Sequence, residues 1–221
     1  MQNNFTITDV LCYGDNTGTI TPNTTGGTPT ATPPFYNYTF GTNPTTVIAG
    51  EYYVIIEDDD GCILLDTAIV GEPNPLVITD FVVIEPLCYG GNNGEVLAVV
   101  TGGTGSGTYI YNWSNGQTSN PASLVSSGSL TLDITDANGC PATYTEFIAE
   151  PSEINDNEDL HTNTYGFEVS CFGANDGWIS LNPTGGVPLS NGDYTYQWNP
   201  SYISIDSVAS NLGAGNYSVT I

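Results

Sequence analysis

The residues able to do chemistry in this chain are few and mostly of one kind. Five cysteines and 24 carboxylates stand against a single histidine, no lysine and no arginine, for a formal net charge of −24. Proton-transfer catalysis at neutral pH draws most often on a base that titrates near 7. His161 is the only histidine, and it sits in the polar stretch Asp159-Leu160-His161-Thr162. Carboxylates do adjoin at Asp58-Asp59-Asp60, but before a glycine, where a solvated turn is the simpler account. Gly-Gly pairs occur without a Walker lysine, and no nucleophile motif or thiolate cluster appears. The expectation is that the chain is not an enzyme and requires no cofactor.

The charge balance excludes two partner classes. Affinity for nucleic acid comes chiefly from neutralising phosphates with Lys and Arg, and electrostatic adsorption to anionic membranes needs the same residues. Divalent cations, in contrast, have a reason to bind. Calcium takes six to eight oxygen ligands, and extracellular modules hold it at roughly 0.1 to 1 mM. Asp15, Asp58, Asp60, Asp136, Asn138 and Asp176 are the candidate calcium ligands. The competing account is that Asx-Gly sequences are ordinary turn chemistry. No EF-hand spacing is present.

The elements around these residues repeat. Cys88-Tyr89-Gly90-Gly91-Asn92-Asn93-Gly94-Glu95-Val96 recurs as Cys12-Tyr13-Gly14-Asp15-Asn16-Thr17-Gly18-Thr19-Ile20 and as Cys171-Phe172-Gly173-Ala174-Asn175-Asp176-Gly177-Trp178-Ile179. Gly-Gly pairs follow at Gly26, Gly102 and Gly185, then aromatic runs from Tyr36 to Phe40, Tyr109 to Trp113 and Tyr194 to Trp198. A period of 76 and then 83 residues suits small domains rather than solenoid units. The expected modules are 1–75, 76–153 and 154–221, the last lacking its final strand, with hinges at Gly71-Glu72-Pro73-Asn74-Pro75 and Glu150-Pro151.

Cysteine arithmetic follows from the repeat. Cys12 and Cys62 lie 50 positions apart, and Cys88 and Cys140 lie 52 apart, each pair bracketing one copy. The expected pairs are therefore Cys12–Cys62 and Cys88–Cys140, against the alternative of reduced, buried thiols. Each bridge would add about 4 kcal/mol in the loop-entropy account, and would imply an oxidising, extracellular setting. Ile221 aligns with Ile56, so the partner of Cys171 is expected about six residues beyond it. Met1, the only methionine, is followed by no basic or apolar leader, which fits either an added initiator or a piece of a longer protein.

No segment keeps apolar residues at helical spacing for more than a turn. Short alternating runs between Gly, Asn, Asp and Pro turns predict an all-β fold of tandem immunoglobulin-like sandwiches, each with one intradomain disulfide. Rings two apart, as at Tyr36, Tyr38 and Phe40, share one strand face and are expected in the core rather than on a carbohydrate platform.

The ordered submotifs closely resemble the SprB-type repeat of large surface adhesins in gliding Bacteroidetes. They run Cys-[Tyr/Phe]-Gly-x-[Asn/Asp]-x-Gly, Thr-Gly-Gly, Tyr-x-Tyr-x-Trp, Ala-Gly-x-Tyr-x-Val-x-Ile and Asp-x-x-Gly-Cys. Departures are Phe40 in place of Trp and Ser127-Gly128-Ser129-Leu130 in place of Ala-Gly-x-Tyr. The resemblance implies an extracellular filament on the bacterial cell surface, exported by type IX secretion and driven by the gliding machinery. Its expected partners are a surface polysaccharide or other extracellular surface, and neighbouring repeats. Asp66-Thr67-Ala68 and Asp206-Ser207-Val208 are similar to Bacteroidetes O-glycosylation sites, at Thr67 and Ser207. A carbohydrate-binding array of a secreted enzyme and a surface-layer component are the competing readings.

Overall fold

The computed structural model describes residues 1–105, 107–160, 168–199 and 204–221. His161 lies outside the described residues. Among the described residues the chain is all-β and antiparallel, in small sheets joined by turns. No helix there is long and apolar enough to cross a membrane.

The first repeat contains β1 (Gln2–Thr8), β2 (Thr19–Thr25), β3 (Asn37–Phe40), β4 (Gly50–Glu57) and β5 (Ile63–Val70). β1 and β2 form one sheet, and β3, β4 and β5 form another with β4 in the middle. Alternation along β4 decides what is buried: Val54 and Ile56 point inward while Tyr53 and Ile55 face out. Val10, Ile20, Val47, Ala68 and Val70 form one core cluster, with Phe5, Ile7, Phe40 and Tyr52 packed on it. Tyr36, Val54 and Ile56 form a second, against Met1, Phe5, Tyr38 and Leu64. Each fully buried aliphatic side chain stabilises by about 1.5–3 kcal/mol.

The second repeat runs β6 (Val77–Ile84), β7 (Gly94–Thr101), β8 (Ile110–Trp113), β9 (Ala122–Val125), β10 (Gly128–Thr135) and β11 (Pro141–Ile148). Its sheets have the orders β6-β7-β9 and β11-β10-β8. Trp113 lies opposite Leu132 in the ladder, both buried, and the Phe81 ring meets the indole edge-on at 6.0 Å. The third repeat comprises β12 (Asp159–Leu160), β13 (Gly177–Ser180), β14 (Gln197–Asn199), β15 (Val208–Leu212) and β16 (Ser218–Thr220), in sheets β12-β13-β15 and β14-β16. Leu181, Trp198, Ala209 and Leu212 form its core.

Sequence patterning does not reveal β9 and β15. Both are short, and both contain a non-glycine residue in the left-handed region, Leu124 and Asn211. In the first repeat a single bridge between Gly18 and Val47 holds the same place.

By packing, the chain divides into two compact units. One is Met1–Val82 with Val96–Ala122 and Ser129–Glu146; the other is Val83–Glu95 with Ser123–Gly128 and Phe147–Ile221. The division passes through the second repeat, so its Asp136 end belongs with the first repeat and its Cys88 end with the third.

Candidate functional site: the turn and loop that meet between repeats

The residues singled out by sequence gather at the two ends of each repeat. At one end, β4 and β10 run into the turns Asp58-Asp59-Asp60-Gly61-Cys62 and Asp136-Ala137-Asn138-Gly139-Cys140. In the first turn, Asp58 accepts the Thr28 N–H at 3.0 Å and the Cys62 N–H at 2.8 Å. In the second, Asp136 accepts the Thr104 N–H and hydroxyl at 2.7 and 3.0 Å, and the Asn138 and Cys140 N–H groups each at 2.9 Å. Both carboxylates are only 3% exposed, yet every polar atom finds a partner.

The donors also set the charge state. The Thr28 and Cys62 N–H groups hold the Asp58 carboxyl below its ordinary value, against a smaller opposing effect of burial. Burial pushes Asp136 up, but the N–H groups of Cys140, Thr104 and Asn138 and the Thr104 hydroxyl outweigh it and bring it down. Asp60 accepts the Thr28 hydroxyl at 2.6 Å. The aspartates thus tie the turn to the Gly-Gly-Thr segment. The same segment is fixed from its other side: Tyr36, Tyr109 and Tyr194 donate their hydroxyls to the carbonyls of Gly26, Gly102 and Gly185 at 2.8, 2.9 and 2.7 Å.

At the opposite end lies the Cys-[Tyr/Phe]-Gly loop. Thr17, Asn93 and Asp176 each accept the N–H of the residue before the loop cysteine, from Leu11, Leu87 and Ser170, at 2.8, 3.0 and 3.0 Å. Asp176 is therefore a loop fastener with the same role as a threonine and an asparagine. The Gly14 and Gly90 N–H groups donate to the hinge glutamates Glu72 and Glu150 at 3.0 and 2.6 Å. Gly14 and Gly90 have φ of 76° and 66°, a conformation that glycine adopts without a Cβ penalty. Asp15 is exposed, and its N–H closes a tight turn onto the Cys12 carbonyl.

The disulfide pairing differs from the expected one. Cys12 is bonded to Cys140, with 5.5 Å between their Cα atoms, and Cys62, Cys88 and Cys171 are free and exposed. Strand geometry explains the correction to Cys12–Cys62. The Cys12 loop lies beside the end of β5, where the Val10 N–H donates to Gly71 O and the Gly71 N–H to Asp9. Cys62 precedes the start of β5, and a strand of eight residues carries it about 25–30 Å away. A disulfide needs Cα atoms within about 7 Å. The expected Cys88–Cys140 pair is likewise not formed, because Cys140 is taken by Cys12.

What brings Cys12 to Cys140 is the hinge. After Glu72 the chain enters the next repeat beside its Gly-Gly pair: the Gly103 N–H donates to Asn74 O at 3.0 Å, and a Cβ on Gly102 would overlap the Pro75 carbonyl. The loop end of the first repeat therefore meets the turn end of the second. Asn138 donates its side-chain amide to Leu11 O at 3.1 Å across this junction. Cys12, Tyr13, Asp15, Pro75, Leu76, Cys140 and Pro141 line a shallow cleft of about 260 Å³ there.

The candidate calcium ligands thus fall into separate settings. Asp58 and Asp136 point at N–H donors, Asn138 spans the junction, and Asp15, Asp60 and Asp176 sit apart in turns. Among the described residues, no group of three or more His, Cys, Asp or Glu side chains is placed to hold a metal ion. Thr67 is exposed on β5, and Ser207 is half-buried before β15. The aromatic runs are interior: Trp113 and Trp198 are 1% and 2% exposed, and their indole N–H groups donate to Ser119 O and Asp206 O.

The SprB repeat family model matches residues 4–45, 81–118 and 168–201, together just over half of the chain. The chain belongs to the SprB repeat family. Each match begins before a Cys-[Tyr/Phe]-Gly loop and closes after the Gly-Gly pair, so it covers the loop and the Gly-Gly segment but neither the hinges nor the Asp136–Cys140 turn. SprB repeats are structural repeats rather than enzymes. No curated protein matches the chain. No motif marks Glu72, Glu150, Thr28 and Thr104 as functional; their signal in the sequence is recurrence at fixed places in the hinge and after the Gly-Gly pairs.

Proposed function

We propose that this chain is a spacer segment of an adhesive filament on the bacterial cell surface, serving gliding motility. The Cys12–Cys140 bond supports the reading most directly. It joins two consecutive repeats at their hinge, which suits a stalk that must extend without coming apart. The family supports a surface protein, and the net charge of −24 supports a fibre kept soluble by self-repulsion. Export by type IX secretion, contact with the gliding machinery and a polysaccharide or other extracellular surface as ligand belong to the same proposal. An antibody raised against this chain should label intact cells, and deleting the parent gene should abolish surface spreading. Exclusively intracellular labelling, or normal spreading, would contradict it.

Burial of Trp113 and Trp198 gives no support to the competing carbohydrate-binding array. Calcium is proposed only as a ligand of exposed carboxylates such as Asp15 and Asp60, since Asp58 and Asp136 already accept backbone donors. Calorimetric titration should then give weak, saturable heat, and a flat titration refutes it. Thr67 and Ser207 are proposed glycan acceptors, with Thr67 the more accessible; intact-mass analysis of material from the native source decides.

A further inference from the structure

The Cys12–Cys140 bond links the loop of one repeat to the turn of the next, and four other contacts at that junction have counterparts one repeat along. Glu72 accepts the Gly14 N–H, and Glu150 accepts the Gly90 N–H. Asn74 O accepts the Gly103 N–H, and Ser152 O accepts the Gly186 N–H. A Cβ on Gly102 would overlap Pro75 O, and one on Gly185 would overlap Glu153 O. Leu76 packs closely on Gly103, and Ile154 on Gly186. The hinge after the second repeat is thus built by the same four contacts as the hinge after the first. At the first hinge the loop cysteine is bonded. At the second, Cys88 is exposed and free.

We propose that the disulfides of this protein form a relay: the loop cysteine of each repeat bonds the turn cysteine of the next. Cys88 then takes the turn cysteine of the third repeat, which follows Ile221 by six positions when the chain continues on the pattern of Ile56 to Cys62. Where a repeat precedes the first, Cys62 takes its loop cysteine, and where one follows the third, Cys171 takes its turn cysteine. Each bond forms by loss of two thiol protons and two electrons, accepted by a disulfide oxidant such as glutathione disulfide, which leaves as two glutathione thiols. The relay does not depend on the adhesive reading, because it concerns only how repeats are joined. Its consequence is mechanical: every hinge is bypassed covalently, and successive bonds overlap along the chain.

The test extends the full chain after Ile221 with a copy of Glu57–Val70, which supplies the missing turn, its cysteine and a final strand. The protein is refolded in a glutathione redox buffer, capped with a thiol reagent and mapped by peptic peptides without reduction, since trypsin has no site to cut. The relay predicts an added Cys88 link to the new cysteine, an unchanged Cys12–Cys140 link, and capped Cys62 and Cys171. A link from the new cysteine to Cys171, or capped Cys88 in a protein that retains Cys12–Cys140, overturns it. A second variant does not rely on the extension. In Cys12→Ser of the original chain, Cys140 and Cys88 should both be capped, whereas a Cys88–Cys140 link would show that pairing occurs within a repeat.

Discussion

The turns at Asp58–Cys62 and Asp136–Cys140 are near copies that end differently. In both, an aspartate follows the central strand, accepts the N–H of the cysteine four residues on, and reaches back to a Gly-Gly-Thr segment. Yet Cys140 is bonded and buried while Cys62 is free and exposed. Local chemistry therefore shapes the turn but does not choose the cysteine's partner. The partner is chosen by what the hinge delivers: the Cys12 loop arrives at the second turn, and among the described residues no counterpart arrives at the first.

The contrast is sharpest for the cysteines themselves. Cys12→Ser opens a link of sequence separation 128, and the loop-entropy account assigns such a link about 5 kcal/mol. Cys62→Ser should leave stability unchanged. Urea titration followed by tryptophan fluorescence under oxidising conditions checks both, and equal effects would erase the distinction. In force extension, reduction should lengthen the fully unfolded chain by about 450 Å, at roughly 3.5 Å per released residue.

The next contrast is between aromatic runs. Trp113 is buried and hydrogen-bonded, so Trp113→Ala should cost about 4 kcal/mol. Phe40, at the same place in the first repeat, is only partly buried, and its loss should cost about half as much. Thermal unfolding of the two variants under identical conditions reads the difference.

These two comparisons also show what sequence could and could not reveal. Rings at spacing two placed Tyr36, Tyr38 and Phe40, or Tyr109, Tyr111 and Trp113, on one strand face, because strand geometry has a fixed period. Asx-Gly sequences marked the turns for an equally local reason. The disulfide was not legible, because 50 and 52 positions measure contour and not distance; β5, eight residues long, carries Cys62 away from the loop it seemed to bracket. The aspartates read as calcium candidates because acidity is visible in sequence, whereas one N–H donor to each of Asp58 and Asp136 comes from a threonine about 30 positions earlier, Thr28 and Thr104.

Acid should expose the turns' shared chemistry. Both carboxyls lie below their ordinary value of 3.8 in the folded chain. Their stabilisation is therefore complete above that value and lost as pH falls through the lower folded one. Asp136→Ala should cost about 2 kcal/mol at neutral pH by leaving N–H donors unpaired, and Asp136→Asn should flatten the acid limb of a melting-temperature profile. A profile identical to that of the unaltered chain would contradict the assignment.

The smallest contrast concerns one hydroxyl. Tyr52 and Tyr217 donate to carbonyls four residues earlier, Ile48 O and Gly213 O, both at 2.8 Å, while buried Leu130 holds the place in the second repeat. Tyr52→Phe should cost about 1 kcal/mol, measurable by chemical denaturation as a shift in the midpoint with an unchanged slope.

Covalent links in this chain join repeats rather than close them. Non-reducing peptide mapping of the unaltered, oxidised chain reads this out. It should recover one cross-linked peptide, Cys12 to Cys140, with Cys62, Cys88 and Cys171 as capped thiols. Recovery of Cys12–Cys62 and Cys88–Cys140 would contradict it.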